Sequence, residues 1–333
     1  MAAFLARRLG FGLGLLFVVS MICFALIHAP GGDYADQAKA MALSQYGMGE
    51  DAAQAYAERL RTRLGLDRPL VVQYVRWVRN IVLEGDFGQS FVAGKPVAQI
   101  VGERLPYTLA IAVVCHLLAT LIGASLGIFA AMQQHRIGDT AASVLAFLGM
   151  TVPRFVLALV ILYWLAFVVG SSNIGSLHSS AYVLAPWSFG KLWDVVLHVW
   201  PVVLIAVFGG LAYNLRIMRS NLLDVMRQPF IEAARARGLS RTAVVLRHAV
   251  PNALHPLIMH QGVIMPYMIS GELEVALILS IPTIGPLMFD SLIQQDVFVT
   301  STILLMLSAV LVIGNLLADL ALALLDPRIR NAG

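Results

Sequence analysis

Charge is scarce in this 333-residue chain: Asp, Glu, Lys and Arg together make up 13%, while hydrophobic residues make up 59%. Soluble globular proteins carry roughly 25% charged and about 45–50% apolar residues. A water-facing surface cannot be assembled from this supply, so the apolar excess must face lipid. Lysine is nearly missing, occurring only at Lys39, Lys95 and Lys191, and arginine carries almost all the positive charge. No dense basic patch meets an aromatic platform, which excludes nucleic acid as a partner despite a net charge of +4. The only two cysteines, Cys23 and Cys115, lie inside apolar runs, which excludes a disulfide-stapled exported domain.

Catalytic signatures are also missing. A phosphate-binding loop needs Ser or Thr after Gly-Lys, but Gly94-Lys95 runs into Pro96 and Gly190-Lys191 into Leu192. No nucleotide site, cofactor or catalytic residue is therefore expected in this chain, and energy must come from a partner or an ion gradient. There is no H-E-x-x-H, and His248, His255 and His260 do not fall on one helical face. Gly123-Ala124-Ser125-Leu126-Gly127 matches G-x-S-x-G, but it sits within an unbroken apolar run rather than at a strand-to-helix turn. Its small residues read as a helix-packing seam, as do those of Gly10-Phe11-Gly12-Leu13-Gly14.

What the sequence does have is long apolar runs. A helix crosses the hydrocarbon with about 20 apolar residues, because lipid offers its backbone no hydrogen-bond partners. Six runs qualify: Leu9–Ala29, Tyr107–Met132, Thr140–Gly170, Val195–Leu215, Leu257–Leu279 and Val297–Leu325. The expected fold class is all-α, a polytopic helical membrane protein with six transmembrane helices. Pro153 predicts a kink in the third run near Arg154. His260, Gln261, Pro266, Glu272 and Glu274 interrupt the fifth. The first run follows Arg7 and Arg8, but it is longer than a signal-peptide core and no A-x-A site closes it, so it is expected to remain as an anchor.

Arginine placement orients the spans. Arg136 lies in 133–139, and Arg216, Arg219, Arg227, Arg235, Arg237, Arg241 and Arg247 lie in 216–250. Arg328 and Arg330 lie in the tail, whereas the alternate connections 171–194 and 280–296 hold Lys191 alone. Both termini are predicted to be cytoplasmic. Segment 30–105 is basic yet predicted to lie outside, being long enough to escape the rule. Within it, Tyr56, Leu60 and Leu64 repeat at helical spacing up to Gly65. Pro69 opens a second helix with Val71, Val75, Val78 and Val82 on one stripe, and Gly85-Asp86-Phe87-Gly88 breaks the pattern. The expectation is a small helical cap that either docks a soluble partner or packs on the spans. The predicted organisation is a first transmembrane helix (1–29), a periplasmic helical segment (30–105), a transport domain (106–326) with a cytoplasmic loop at 216–250, and a tail (327–333).

That cytoplasmic loop contains Gln228-Pro229-Phe230-Ile231-Glu232-Ala233-Ala234-Arg235-Ala236-Arg237-Gly238-Leu239-Ser240. Pro229 suits a first helical position, with Glu232 near the positive end. Ala233, Ala234 and Ala236 leave one side nearly bare. Gly238 can adopt the left-handed conformation that ends a helix, and Ser240 can cap the next helix running toward Pro251. Such a short, sharply bent helix fits a groove on another protein.

Glu232-Ala233-Ala234-x3-Gly238, followed by His248-Ala249-Val250-Pro251, resembles the EAA signature of permease subunits of binding-protein-dependent ABC importers. Arg247-His248-Ala249-Val250-Pro251-Asn252-Ala253-Leu254, Leu64-Gly65-Leu66-Asp67-Arg68-Pro69-Leu70, Gly85-Asp86-Phe87-Gly88-Gln89-Ser90, Glu103-Arg104-Leu105-Pro106 and Leu325-Asp326-Pro327-Arg328-Ile329-Arg330 resemble its dipeptide/oligopeptide branch. The resemblance implies a type I importer fold in a bacterial inner membrane and a second permease subunit, more often different than identical. It also implies two ATPase subunits that bind ATP and Mg, and a periplasmic solute-binding protein. Glu232, Ala233, Ala234 and Gly238 would couple to the ATPase. The family's Pro-Gly-Leu-Gly-like turn, with a glutamate about six residues before it, is replaced here by Pro282-Thr283-Ile284-Gly285, with Glu274 and Glu272 further upstream.

Ionisable groups at membrane depth often mark pathways. Glu272 or Glu274 is a candidate for lining the route or its outer gate, or else sits at the interface or pairs with a neighbouring subunit. Asp319 is expected to be solvated near the inner surface. The competing classes are a proton-coupled carrier using Glu272, Glu274 or Asp319, and a membrane scaffold or intramembrane hydrolase using Ser125. The cargo itself, di- or oligopeptide, oligosaccharide or another small solute, is not specified by these residues.

Overall fold

The computed structural model describes residues 2–28, 34–44, 46–90, 92–171, 174–271 and 273–325. Every regular element among them is a helix, and the one extended pairing among them is an isolated bridge between Gln89 and Pro96. In order the helices are α1 (Ala2–His28), α2 (Tyr34–Ser44), α3 (Glu50–Leu64), α4 (Leu70–Arg79), α5 (Val97–Met132), α6 (Ile137–Thr151) and α7 (Arg154–Tyr163). There follow α8 (Phe189–Val225), α9 (Pro229–Ala236), α10 (Arg241–Val244), α11 (Val250–Gly271), α12 (Leu273–Ile278), α13 (Ile284–Ile293) and α14 (Val297–Leu325).

Among the described residues four helices are long and apolar enough to cross a membrane: α1, α5, α8 and α14. The pair α6 and α7 makes a fifth if taken as one span, but it bends by 93°. Proline explains where it bends: the residue before a proline is pushed out of the helical region, and Val152 is extended at ψ 120° before Pro153. The result is a break, sharper than the predicted kink. The expected fifth run divides between α11 and α12, with Glu272 outside the described residues. The chain thus supports an all-helical polytopic fold, with spans counted at four or five among the described residues.

The chain forms two compact units. One comprises Met1–Leu9, Pro106–Pro286 and Val310–Gly333. Its core is built on α8, which buries Val199, Val202, Ile205, Leu211, Leu215, Met218 and Leu222. The seam reading of the small residues on α5 holds in detail. A Cβ on Gly123 would stand 2.7 Å from the Leu211 carbonyl oxygen, and one on Gly127 2.7 Å from that of Leu215. Gly149 of α6 meets Ala212 and the Phe208 carbonyl in the same way. In contrast, a Cβ on Gly10 or Gly14 would meet nothing among the described residues, and of the three glycines of that run only Gly12 is buried.

The other unit comprises Gly10–Leu105 and Leu287–Ala309. Here α4 lies against α1 through Tyr74, Trp77 and Gln73: Tyr74 shares a 2.7 Å hydrogen bond with Ser20, and its ring and that of Trp77 pack edgewise or tilted on Phe24. The valine stripe points the other way, with Val71, Val75 and Val82 exposed. The Gly85–Ser90 motif also finds its reason in this unit. Gly88 has φ +90° and a Cβ there would strike the Phe298 ring at 2.6 Å. Ser90 donates to the Asp296 carboxylate, which also accepts from Val299 N near the start of α14.

Candidate coupling site

The loop after α8 folds as its residues dictate. Pro229 occupies the first turn of α9, Gln228 is extended, and α9 closes at Gly238 with φ +77°. Ser240 then accepts a hydrogen bond from Ala243 N and starts α10. A widened π turn at Val245–Ala249 leads into α11, so the second helix continues through Pro251 rather than stopping there. The wide turn precedes a residue that has no N–H to donate.

Two faces of α9 differ sharply. Ile231 is fully buried and Ala234 nearly so, packed among Met218, Leu222, Val244, Val245 and Ala249. Phe230, Glu232, Ala233, Arg235, Ala236, Arg237 and Leu239 are exposed. The two alanines of the motif therefore divide their work: Ala234 turns inward onto the base, and Ala233 faces out beside Glu232.

Two polar ties fix this base. Asp139, buried at the start of α6, accepts two hydrogen bonds from Arg219 of α8, Nε at 2.6 Å and Nη2 at 2.8 Å, and a third from His135 N at 3.0 Å. Arg241 of α10 donates to the Met132 carbonyl at the end of α5 at 2.9 Å. Each joins residues 80 or more positions apart, so sequence spacing gave no signal of them.

The opposite end of the same unit carries a second polar cluster. Asp194 of α8 accepts from Ser179 N at 2.9 Å and Ser179 Oγ at 2.7 Å. Lys191 donates to the Ala185 carbonyl at 2.7 Å and lies over the Trp187 ring. His178 stands between Tyr107 and Trp187. Burial, followed by the charge of Lys191, holds its imidazole below the usual 6.5, while the Asp194 carboxylate pulls the other way.

The atypical Pro282-Thr283-Ile284-Gly285 turn is firmly held. Ile284 N donates to Thr108 Oγ1 at 3.0 Å, Ile281 N to the Ala276 carbonyl at 2.8 Å, and Thr283 is buried. A Cβ on Gly285 would come within 3.1 Å of the Leu273 Cα, so any side chain there would have to push α12 away by a few tenths of an ångström. Glu274 is exposed on the helix that the turn pins, while Glu272 lies outside the described residues. Asp319 is not free in solvent as expected: it pairs with Arg8 at 3.1 Å, bringing the start of α1 and the end of α14 together. Ser125 is exposed on α5. Among the described residues, no three potential metal-binding side chains converge.

The chain matches the family described as "Binding-protein-dependent transport system inner membrane component" over residues 123–331, and the N-terminal membrane component of the same systems over residues 1–112. It is 32% identical to a peptide ABC transporter permease of Sinorhizobium fredii, y4tP, across 99% of this chain and 100% of that one. It is equally 32% identical to the oligopeptide transport system permease protein AppB of Bacillus subtilis, across 99% of each. Among solved structures it is similar to an inward-facing MetNI methionine ABC transporter, with a TM-score of 0.52 and 16% identity, covering 68% of this chain and 97% of that chain. That last likeness is one of fold.

Proposed function

This chain belongs to the binding-protein-dependent transport system inner membrane components, and from that membership we propose that it forms half of the solute pathway of an ATP-driven peptide importer. It is a multi-pass inner-membrane permease subunit of an ABC importer and not itself catalytic. Peptide cargo is supported by full-length relatives that carry peptide or oligopeptide transport in their names. The partners in this reading are a second, similar but non-identical permease, two ATPase subunits holding ATP and Mg, a periplasmic solute-binding protein and membrane lipid. Segment 30–105 would face the periplasm, 106–326 would carry the pathway, and the loop at 216–250 and the tail at 327–333 would lie in the cytoplasm.

The observation that carries the coupling role is the two-sided α9. Its inner face is locked by Ile231 and Ala234, while Glu232, Ala233 and the bend at Gly238 project unengaged. In this reading the projecting face seats in a cleft of the ATPase. Closure of two nucleotide-loaded subunits would then displace α9, and α8 with it through the three-residue link Met226–Gln228. Ala233→Cys should crosslink to the ATPase subunit in the assembled complex, and Glu232→Lys should insert normally yet lose ATP-driven uptake. Wild-type uptake by Glu232→Lys, together with no crosslink from Ala233→Cys, would remove the assignment. Glu274 is proposed to stand near the outer opening of the pathway, because it is exposed on a helix anchored by the 282–285 turn.

A further inference from the structure

The exposed surface of α8 changes character along its length. Toward Phe189 the exposed positions are apolar: Trp193, Val196, Leu197, Trp200 and Leu204. Toward the coupling loop they are Tyr213, Arg216, Ser220 and Asp224, spaced i, i+3, i+7, i+11 and hence on one stripe. Where this stripe begins, the Tyr213 ring stacks on His260 of α11 with centroids 4.6 Å apart. His260 Nε2 is buried and has no hydrogen-bond partner among the described residues.

The layer behind is complete without a ligand. Thr120 donates to Gln261 Oε1 at 2.8 Å, and Gln261 donates to Asn214 Oδ1 at 3.1 Å and to the Leu257 carbonyl at 2.9 Å. The buried atom left unpartnered beside this layer, among the described residues, is His260 Nε2.

Position makes this face informative. Tyr213 lies two residues before the inner end of the predicted span Val195–Leu215, and His260 three residues into Leu257–Leu279, so the face stands where the spans meet the coupling loop. Ionisable and hydrogen-bonding groups at hydrocarbon depth are costly toward lipid and face protein or a water-filled cavity. A protein cover is disfavoured by Arg216, which makes no ion pair among the described residues and would be buried uncompensated in a dry subunit seam. Helix seams in membranes are also built from small residues, and this stripe has a tyrosine and an arginine. Water is the cover that suits a polar stripe running down to the coupling loop.

We propose that the Tyr213–His260 pair lines the solute pathway where a water-filled vestibule, open toward the coupling loop, meets the inner ends of the spans, with Arg216, Ser220 and Asp224 forming its wall. The ligand class is a hydrated, hydrogen-bonding solute, and under the importer reading above, on which this rests, a peptide.

Cysteine accessibility tests this in the complete complex in lipid nanodiscs, on a Cys23→Ala, Cys115→Ala background, with the membrane-impermeant anionic thiol reagent MTSES. Tyr213→Cys and Arg216→Cys should react in the nucleotide-free complex and slow at least tenfold after vanadate trapping, while Leu204→Cys stays inert in both. Because Tyr213→Cys removes a ring packed on His260, Arg216→Cys is the second reporter. If both fail to react in the nucleotide-free complex, or crosslink to the second permease, the stripe is a buried seam and the proposal is overturned. Reaction unaltered by vanadate also overturns it, since a pathway wall must change access with the nucleotide state. Failure to retain nucleotide on vanadate treatment would count against the importer reading instead, and nucleotide-free labelling still decides the vestibule.

Discussion

Gly238 offers a test of the coupling role that separates backbone conformation from side-chain bulk. Its φ is +77°, and no atom lies within 4 Å of where a Cβ would sit. The need for glycine is therefore conformational, at least within this chain. A left-handed φ costs an L-residue about 1–2 kcal/mol, with asparagine among the most tolerant and β-branched residues among the least. Gly238→Ala should thus lower the population of correctly bent loop, relative to its alternatives, about 5- to 30-fold. If ATPase seating requires that bend, receptor-stimulated ATP hydrolysis and uptake should fall in the order Gly, Asn, Ala, Val. A mechanism based on bulk predicts the reverse for the middle pair, because asparagine is larger than alanine. The assay is ATP hydrolysis with and without loaded solute-binding protein in proteoliposomes, normalised to inserted permease. An alanine variant that outperforms asparagine, or a valine variant equal to wild type, would refute the reasoning.

Gly127→Ala should destabilise the permease by about 1–3 kcal/mol, because the new Cβ meets backbone and Met218 Cβ at 2.7–2.8 Å; thermal unfolding in detergent should show it, with exposed Ser125→Ala unchanged. Arg219→Ala strands the buried Asp139 carboxylate and should cost about 3–5 kcal/mol, whereas Asp139→Leu combined with Arg219→Met should recover most of that loss in the same melt. His178, faced by Asp194, Lys191, His198, Tyr107 and Trp187, is held below 6.5 by burial and then by Lys191. The unfolded loop therefore takes up its proton first, so the stabilisation is complete above about pH 6.5 and declines as pH falls from there toward the folded-state value. Protection factors across 174–188, with exchange normalised to the intrinsic rate at each pH, should fall over that window in wild type, with a flatter pH response in His178→Gln.

The helices most visible in the sequence are those whose apolar runs meet water abruptly. α1 and α14 appear near their predicted positions, and α5 ends at the predicted Met132 but starts ten residues earlier, at Val97 rather than Tyr107. α8 extends well past the predicted Val195–Leu215, because charged residues that end an apolar window, Lys191, Asp194 and Arg219, are held by polar partners and remain helical. Pro153 announced a bend, but the 93° angle depends on what α7 packs against, which spacing does not encode. In the coupling loop, Pro229, Gly238 and Ser240 act through their own backbones and neighbours, so their roles were legible residue by residue. The faces of α9 were not, since Ala233 and Ala234 are chemically identical and only the tertiary base distinguishes them. The Asp139–Arg219 clamp, the Ser90–Asp296 bond and the Tyr213–His260 stack join distant segments, and composition alone cannot pair them. The valine stripe of α4 marked a real helical face, but the aromatic residues beside it make the contact with α1.

The continuity of α8 has a mechanical corollary. Its 37 residues, Pro201 among them, form one helix about 55 Å long along its axis, with the Lys191–Asp194 cluster at one tip and the coupling loop at the other. Tilting such a helix by about ten degrees around its midpoint would sweep each tip roughly 5 Å in opposite directions. A push at the base would then reach the far surface in one stroke, without a relay of intermediate parts.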